Sequence, residues 1–240
     1  AIFIPFLIYS MAAIVLNILT GYCGQVSLGT GGFMPVGAFA TYEIMTFFTD
    51  LNIMIVVLLS GVITAFVGIL FGLPSLRIKG FYLAVATLAS QFFIIWLFNK
   101  VPWFYNYSDT GQITVSERTM FGVAVTGANA PPYATYLFCL ILVVVLGFAA
   151  KNMIRSKIGR SWMAIRDMDI AAEIIGVPPL KTKLSAFAIS SFYIGIAGSL
   201  YFAVYLGALE VTESFDIMAI SFPVLFMIII GGLGSMLGSF

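Results

Sequence analysis

Residues 151–183 read KNMIRSKIGRSWMAIRDMDIAAEIIGVPPLKTK, the only long polar interruption in an otherwise apolar chain. The stretch holds seven of the eleven basic residues, Lys151, Arg155, Lys157, Arg160, Arg166, Lys181 and Lys183, with three of the ten acids. Trp162, Ile165, Met168, Ala172 and Ile175 recur at helical spacing, while Arg166, Asp169 and Glu173 occupy another face. Gly176 supplies a stop, and Pro178-Pro179 forbid continuation. The pattern predicts a short amphipathic helix outside the bilayer between two spanning segments, its apolar face turned to lipid or to another protein. A loop that only orients the chain needs a few cations beside the helix ends, not a capped helix of its own. The small residues Ala164, Ala171 and Ala172 leave room for a partner surface to approach.

Around this stretch the chain is 61% hydrophobic and 9% charged, with no histidine. Soluble domains carry roughly 25% charged residues, so the composition is that of an integral membrane protein. A net charge of +1 carries no nucleic-acid signal, and no nucleic-acid partner is expected. Cys23 and Cys139 both fall in apolar runs and read as free buried thiols, with no disulfide or metal framework. Without histidine, and with so few cysteines, a metal enzyme is not expected. Ala1 opens inside an apolar run and Phe240 closes a glycine-rich one, so a piece of a longer chain is expected, with no cleavable signal in view.

Residues 1–19 read as a spanning helix. GYCGQVSLGTGGFMPVGA (residues 21–38) then brings Gly21, Gly24, Gly29, Gly31, Gly32, Gly37 and Pro35 to membrane depth. This predicts a broken or re-entrant helix, tolerated only where protein or a water-filled cavity surrounds it and common along transport pathways. Segments 53–73, 81–98, 133–150 and 184–206 read as further spans, and 217–231 runs back into the membrane before GGLGSMLGSF breaks it. The pairs Gly61/Ala65 and Gly68/Gly72, and the ridge Ser191, Gly195, Ser199, Ala203 and Gly207, predict close helix contact. Residues 99–132 read as a polar loop, and Glu210, Glu213 and Asp216 as an acidic turn. Placing 74–80 and 151–183 on the cytoplasmic side puts nine of the eleven cations there and seven of the ten acids opposite. The expected fold is therefore an all-α polytopic membrane bundle, a single transmembrane domain over 1–240, with a broken helix and a cytoplasmic helix in 151–183.

Three stretches carry a resemblance. NILTGYCGQVSLGTGGFMPVGAFA from Asn17, LRIKGFYLAVATLA from Leu76, and GRSWMAIRDMDIAAEIIGV over 159–177 resemble the permease subunits of bacterial ABC importers for branched-chain amino acids. Urea and short-amide permeases are close relatives of that family. The resemblance implies a multi-pass subunit of the bacterial inner membrane that performs no chemistry itself. Its partners would be a paralogous permease, two ATPase subunits that hold ATP and Mg, and an external substrate-binding protein, all around the lipid bilayer. It implies that Gly159, Arg160, Ala164, Ile165, Arg166, Ala171, Ala172, Glu173 and Gly176 form the helix that couples to the ATPase. It implies too that Gly24, Gln25, Ser27 and Gly29 line the passage. Gln91, with no acid on its helix, would make an uncharged wall there. Glu43 is the one ionisable residue that could lie deep in the membrane, where a carboxylate costs about 2.5–3.5 kcal/mol, which makes it a further candidate for the passage. An ion-coupled secondary transporter, the alternative class, would depend on Glu43.

Overall fold

The structure is a computed structural model and describes residues 3–76, 81–105, 107, 112–120, 123–127, 130–210, 214–215, 220–235 and 238. Five segments are long and apolar enough to cross a membrane: Phe3–Tyr22, Ile53–Ser75, Tyr82–Lys100, Pro132–Arg155 and Pro179–Leu206. Helix α1 (Phe3–Asn17) runs on through a wider π-type turn, Ile18–Tyr22, that ends at the break. Helix α2 (Thr30–Phe47) is not among the five. Fourteen of its eighteen residues are buried, sheathed by α3 (Ile53–Ser75), α4 (Phe81–Lys100) and α8 (Pro179–Leu200). A helix carrying Gly31, Gly32, Pro35 and Gly37 presents little apolar surface to lipid but a smooth surface to neighbouring backbones. That composition is why it lies inside.

The irregular backbone expected across 21–38 is thus narrower than predicted, because the helix resumes at Thr30 and accommodates Pro35 within it. Seven residues, 23–29, remain non-helical.

The α8 ridge packs as expected. A Cβ on Gly37 would strike the Gly195 carbonyl, and one on Gly198 the Met34 carbonyl. Gly61 faces Phe192 and Ile196, Gly68 faces Ser191, and Gly72 faces Phe187. Thr41 donates to Ser199 across the seam at 2.6 Å. The ridge ends at Ala203: Gly207 is not on it but stops the helix with φ +71°. Residues Tyr201–Leu206 form a second π-type turn, which breaks the four-residue spacing before it reaches Gly207.

Two corrections concern the connections. The 99–132 loop contains a 3₁₀ turn (Pro102–Tyr105) and three short strands: β1 (Ile113–Thr114), β2 (Arg118–Met120) and β3 (Val123–Thr126). Strands β2 and β3 form a hairpin, while β1 pairs antiparallel with β4 (Ala208–Leu209), inside the stretch before the expected acidic turn. Backbone donors left between helices need partners, and short pairing supplies them without apolar periodicity in the sequence. Arg118 reaches over the C-terminus of α2, donating to the Met45 and Phe48 carbonyls at 2.8 and 3.3 Å, as a cation at a helix C-terminus should. The 74–80 turn lies outside the described residues beyond Leu76, as do Glu213 and Asp216.

The second correction falls in 151–183. Helix α5 (Pro132–Arg155) is followed by two helices rather than one, α6 (Lys157–Asp167) and α7 (Asp169–Ile174). Ser156 caps α6 by accepting from the Ile158 N–H at 3.2 Å. Met168 is extended (φ −158°, ψ 99°), so the face projected across it is not continuous. The face expected to meet lipid or another protein is split: Trp162, Ile165 and Ala172 are buried within the chain, while Met168 and Ile175 are exposed. Gly176 stops α7 as expected, with φ +89° and the paired bonds Val177 N–H to Ala172 O and Gly176 N–H to Glu173 O. Pro179 then occupies the first position of α8, where its missing N–H is no loss.

Candidate translocation site and its link to the basic end

The break begins where Gly24 takes φ +71°, with the Arg166 side chain so near that a Cβ would stand 3.0 Å from its Cγ. Glycine meets both demands. Gln25 folds back, its N–H to the Leu19 carbonyl at 3.0 Å and its amide to the Cys23 sulfur at 3.1 Å. Its Oε1 is buried without a partner. The chain then delivers the N-terminus of α2, whose first N–H groups have no helical acceptor and whose cap, Gly29, has no side chain to offer.

Three hydroxyls from three places serve the N–H groups around that end. Ser27 accepts from Gly29 at 3.2 Å, Thr87 of α4 from Leu28 at 3.0 Å, and Ser221 from Gly31 at 2.8 Å. Ser221 precedes the last helix, α9 (Phe222–Gly231), and donates onward to Gln91 Oε1 of α4 at 2.9 Å. Gln91 and Thr30 are almost wholly buried, and Gln91 Nε2 and Thr30 Oγ1 have no partner. Gly24, Gln25, Ser27, Gly29 and Gln91 therefore belong to one continuous region. Glu43 does not join it. It stands near the other end of α2, half-buried on an apolar cavity of about 270 Å³ with Phe39, Ile94, Phe98 and Trp103.

A second broken end meets the first. After α9, Gly232 and Gly234 turn with φ +96° and +85°. Asn17, fully buried in α1, grips this turn: its amide donates to Ser235 O at 2.8 Å and its Oδ1 accepts from Gly234 N–H at 2.7 Å. A Cβ on Gly21 would strike both Asn17 and the Gly234 backbone. Asn17, Thr30, Thr87 and Ser221 were not selected by spacing arguments. The available signal was a lone amide or hydroxyl within an apolar run, which does not reveal its partner.

The basic end is tied to the break directly. Arg166 turns back, donating from Nη1 to the Gly21 carbonyl at 2.8 Å, and pairs with Asp167 at 2.9 Å. Lys183 at the start of α8 holds Asp169 of α7 at 2.6 Å, and Trp162 Nε1 donates to Ser185 at 3.0 Å. Beside Arg166 lies a polar cavity of about 290 Å³ lined by Cys23, Gln25, Leu76, Ile165 and Asp169. Leu76 in that lining sets the flank of the 74–80 turn at the same end as α6 and α7. Of the proposed coupling residues, Gly159, Ile165 and Ala172 are buried, Ala164 is half-buried, and Arg160, Ala171, Glu173 and Gly176 are exposed. A Cβ on Gly159 would strike the Ile154 carbonyl, so this glycine seats α6 against the end of α5. Outward, α7 and its flanks present Met168, Ile170, Ile174 and Ile175, 68–81% exposed. Four large apolar side chains are thus left uncovered at this end of the bundle.

These features define a multi-pass helical permease: a bundle around a broken helix, tied to an exposed apolar face. The chain belongs to the family described as branched-chain amino acid transport system / permease component, which matches residues 1–240. It is 32% identical over 95% of its length to the high-affinity branched-chain amino acid transport system permease protein LivM of Salmonella typhimurium, and 31% identical to that of Escherichia coli. The chain spans 57% of the length of each. It is 27% identical over 98% of its length to the probable ABC transporter permease protein y4mJ of Sinorhizobium fredii, covering 64% of it. No solved structure matches significantly.

Proposed function

We propose that the chain is the membrane-spanning permease of an inner-membrane ABC importer for branched-chain amino acids, paired with a paralogous permease, two ATPase subunits and an external binding protein. The observation that carries this is the α6–α7 pair, exposed and apolar on its outer side and bonded to the broken helix on its inner side. ATP-driven closure of the ATPase dimer would move α7 as a rigid body. Trp162, the Asp169–Lys183 pair and the Arg166 bond to Gly21 would carry that movement to α8 and to the break. Gly24, Gln25, Ser27, Gly29 and Gln91 would line the passage. The relatives' names support the substrate class, since LivM is described as a branched-chain amino acid permease.

The test is the double substitution Ile170→Ser with Ile174→Ser in the full-length chain, co-expressed with its partners. Both side chains are exposed, so insertion and thermal stability should stay within about 0.5 kcal/mol of wild type. Co-purification of the ATPase and uptake of leucine should fall at least tenfold. If the ATPase stays bound and uptake instead follows a proton or sodium gradient, the importer reading is wrong and Glu43 becomes the residue to pursue.

A further inference from the structure

We propose that the groove between α1 and α5 binds one anionic phospholipid, with an acyl chain along the groove and the headgroup phosphate at Lys151 and Arg155. The orientation, with the α6 end on the cytoplasmic side, rests on the permease reading above.

The groove suits a chain more than a compact ligand. It encloses about 530 Å³. Ile14 of α1 and Val143 and Ile154 of α5 form its buried wall, while Val144 and Phe148 are exposed. Gly147 lies between those two, and a Cβ built on it would meet nothing within 4 Å, so the middle of the groove is open. From Val143 to Arg155 the lining runs twelve residues along α5, roughly 18 Å at 1.5 Å per residue. One leaflet holds about 15 Å of hydrocarbon, half of a core of about 30 Å. The groove is therefore about one leaflet deep.

Its charges sit at one end. Lys151 and Arg155 line it near the C-terminus of α5, four residues apart and so on one face. Tyr22, at the end of the π-type turn that follows α1, lines it with them. No acid lines the groove, and neither cation is in an ion pair among the described residues. Like charges at this spacing repel, and an anion between them removes the repulsion. Basic pockets between spanning helices on the cytoplasmic side suit anionic headgroups, and a tyrosine at the interface adds a hydroxyl donor. A free phosphate would leave the apolar length of the groove empty, and a neutral lipid would leave the cations unanswered. A protein segment would have to bring an acid to the same level. Ser235, in the turn that Asn17 grips, also lines the groove, so a seated lipid would buttress the second broken end.

The experiment takes the full-length chain with its partners, delipidated in mild detergent and titrated with phosphatidylglycerol or phosphatidylcholine. Native mass spectrometry counts the bound lipids. Wild type should hold one phosphatidylglycerol more tightly than any phosphatidylcholine. Lys151→Gln with Arg155→Gln should weaken that lipid about twenty-five-fold, about fivefold for each cation lost. Gly147→Leu should weaken it about tenfold with both cations in place, because the new side chain occupies the groove. That side chain enters open space and the two cations are exposed, so both variants should fold. Phosphatidylcholine should bind equally weakly to all three proteins. Full binding by the Gly147 variant, or displacement of the lipid by excess inorganic phosphate, would reduce the site to surface charge and overturn the proposal. Equal counts of the two lipids on wild type would mean that protein fills the groove, from elsewhere in the chain or from the partner permease, and would overturn it too. The count does not depend on transport, so failure of the importer reading, seen as absence of a bound ATPase, is read separately.

Discussion

The seam between α2 and α8 and the break at 23–29 are both built on glycine, and they use it in opposite ways. In the seam, Gly37 and Gly198 bring backbones into contact while each helix stays continuous. Hydroxyls along this part of the bundle bond mainly to their own helix, as Ser60 does to Val57 and Thr64 to Ser60. At the break, Gly24, Gly232 and Gly234 take positive φ, and the backbone is held by side chains distant in sequence: Asn17, Thr87, Arg166 and Ser221. A seam of that kind has no second arrangement to move to, because packed backbones do not deform gradually. A backbone held by a few removable hydrogen bonds does have one. Glycine content alone therefore does not distinguish a rigid contact from a movable one; the source of the hydrogen bonds does.

Substitutions can break or sharpen this contrast. Gly37→Val should have the largest effect, because its side chain would enter the Gly195 backbone, which cannot yield as a side-chain tip can. A loss of about 3 kcal/mol or more is expected, seen as loss of the monodisperse folded species on size exclusion. Asn17→Leu should cost less, about 1–3 kcal/mol for the polar groups left unpaired in the 232–235 turn. Hydrogen exchange should rise in that turn and stay unchanged along α8. Arg166→Ala should cost least in stability, about 1 kcal/mol, since the side chain is partly exposed and makes one long-range bond. Its mark should be functional: leucine import per ATP should fall about tenfold while ATP hydrolysis continues. An Arg166 variant that melts as early as the Gly37 variant would erase the distinction between the two regions.

Much of this was legible in the chain. Apolar runs of spanning length, the small-residue ridge on α8, the glycine-rich break and the Gly176 stop were each readable, because each depends on local composition or spacing. The errors have physical causes. One helix was projected across Met168, but the bond from Lys183 to Asp169 and the burial of Ala172 favour a second axis, which turns Met168 and Ile175 outward. Arg166 was placed with Asp169 and Glu173 on one polar face, whereas its guanidinium folds back to Gly21 and Asp169 pairs with Lys183. The strands β1 and β4 pair residues almost a hundred positions apart, with no local pattern to announce them.

What the sequence determined by itself is the class of molecule and the location of its irregular backbone. A bilayer leaves few options for an unbroken apolar run, and a cluster of glycines cannot be lipid-exposed strand or loop. What only the tertiary structure decided is which polar groups meet. Asn17 with the 232–235 turn, Ser221 with Gln91 and Gly31, and Arg166 with Gly21 join residues 130 to 218 positions apart. A buried hydrogen bond depends on geometry at a few tenths of an ångström. That precision emerges only after the helices have packed.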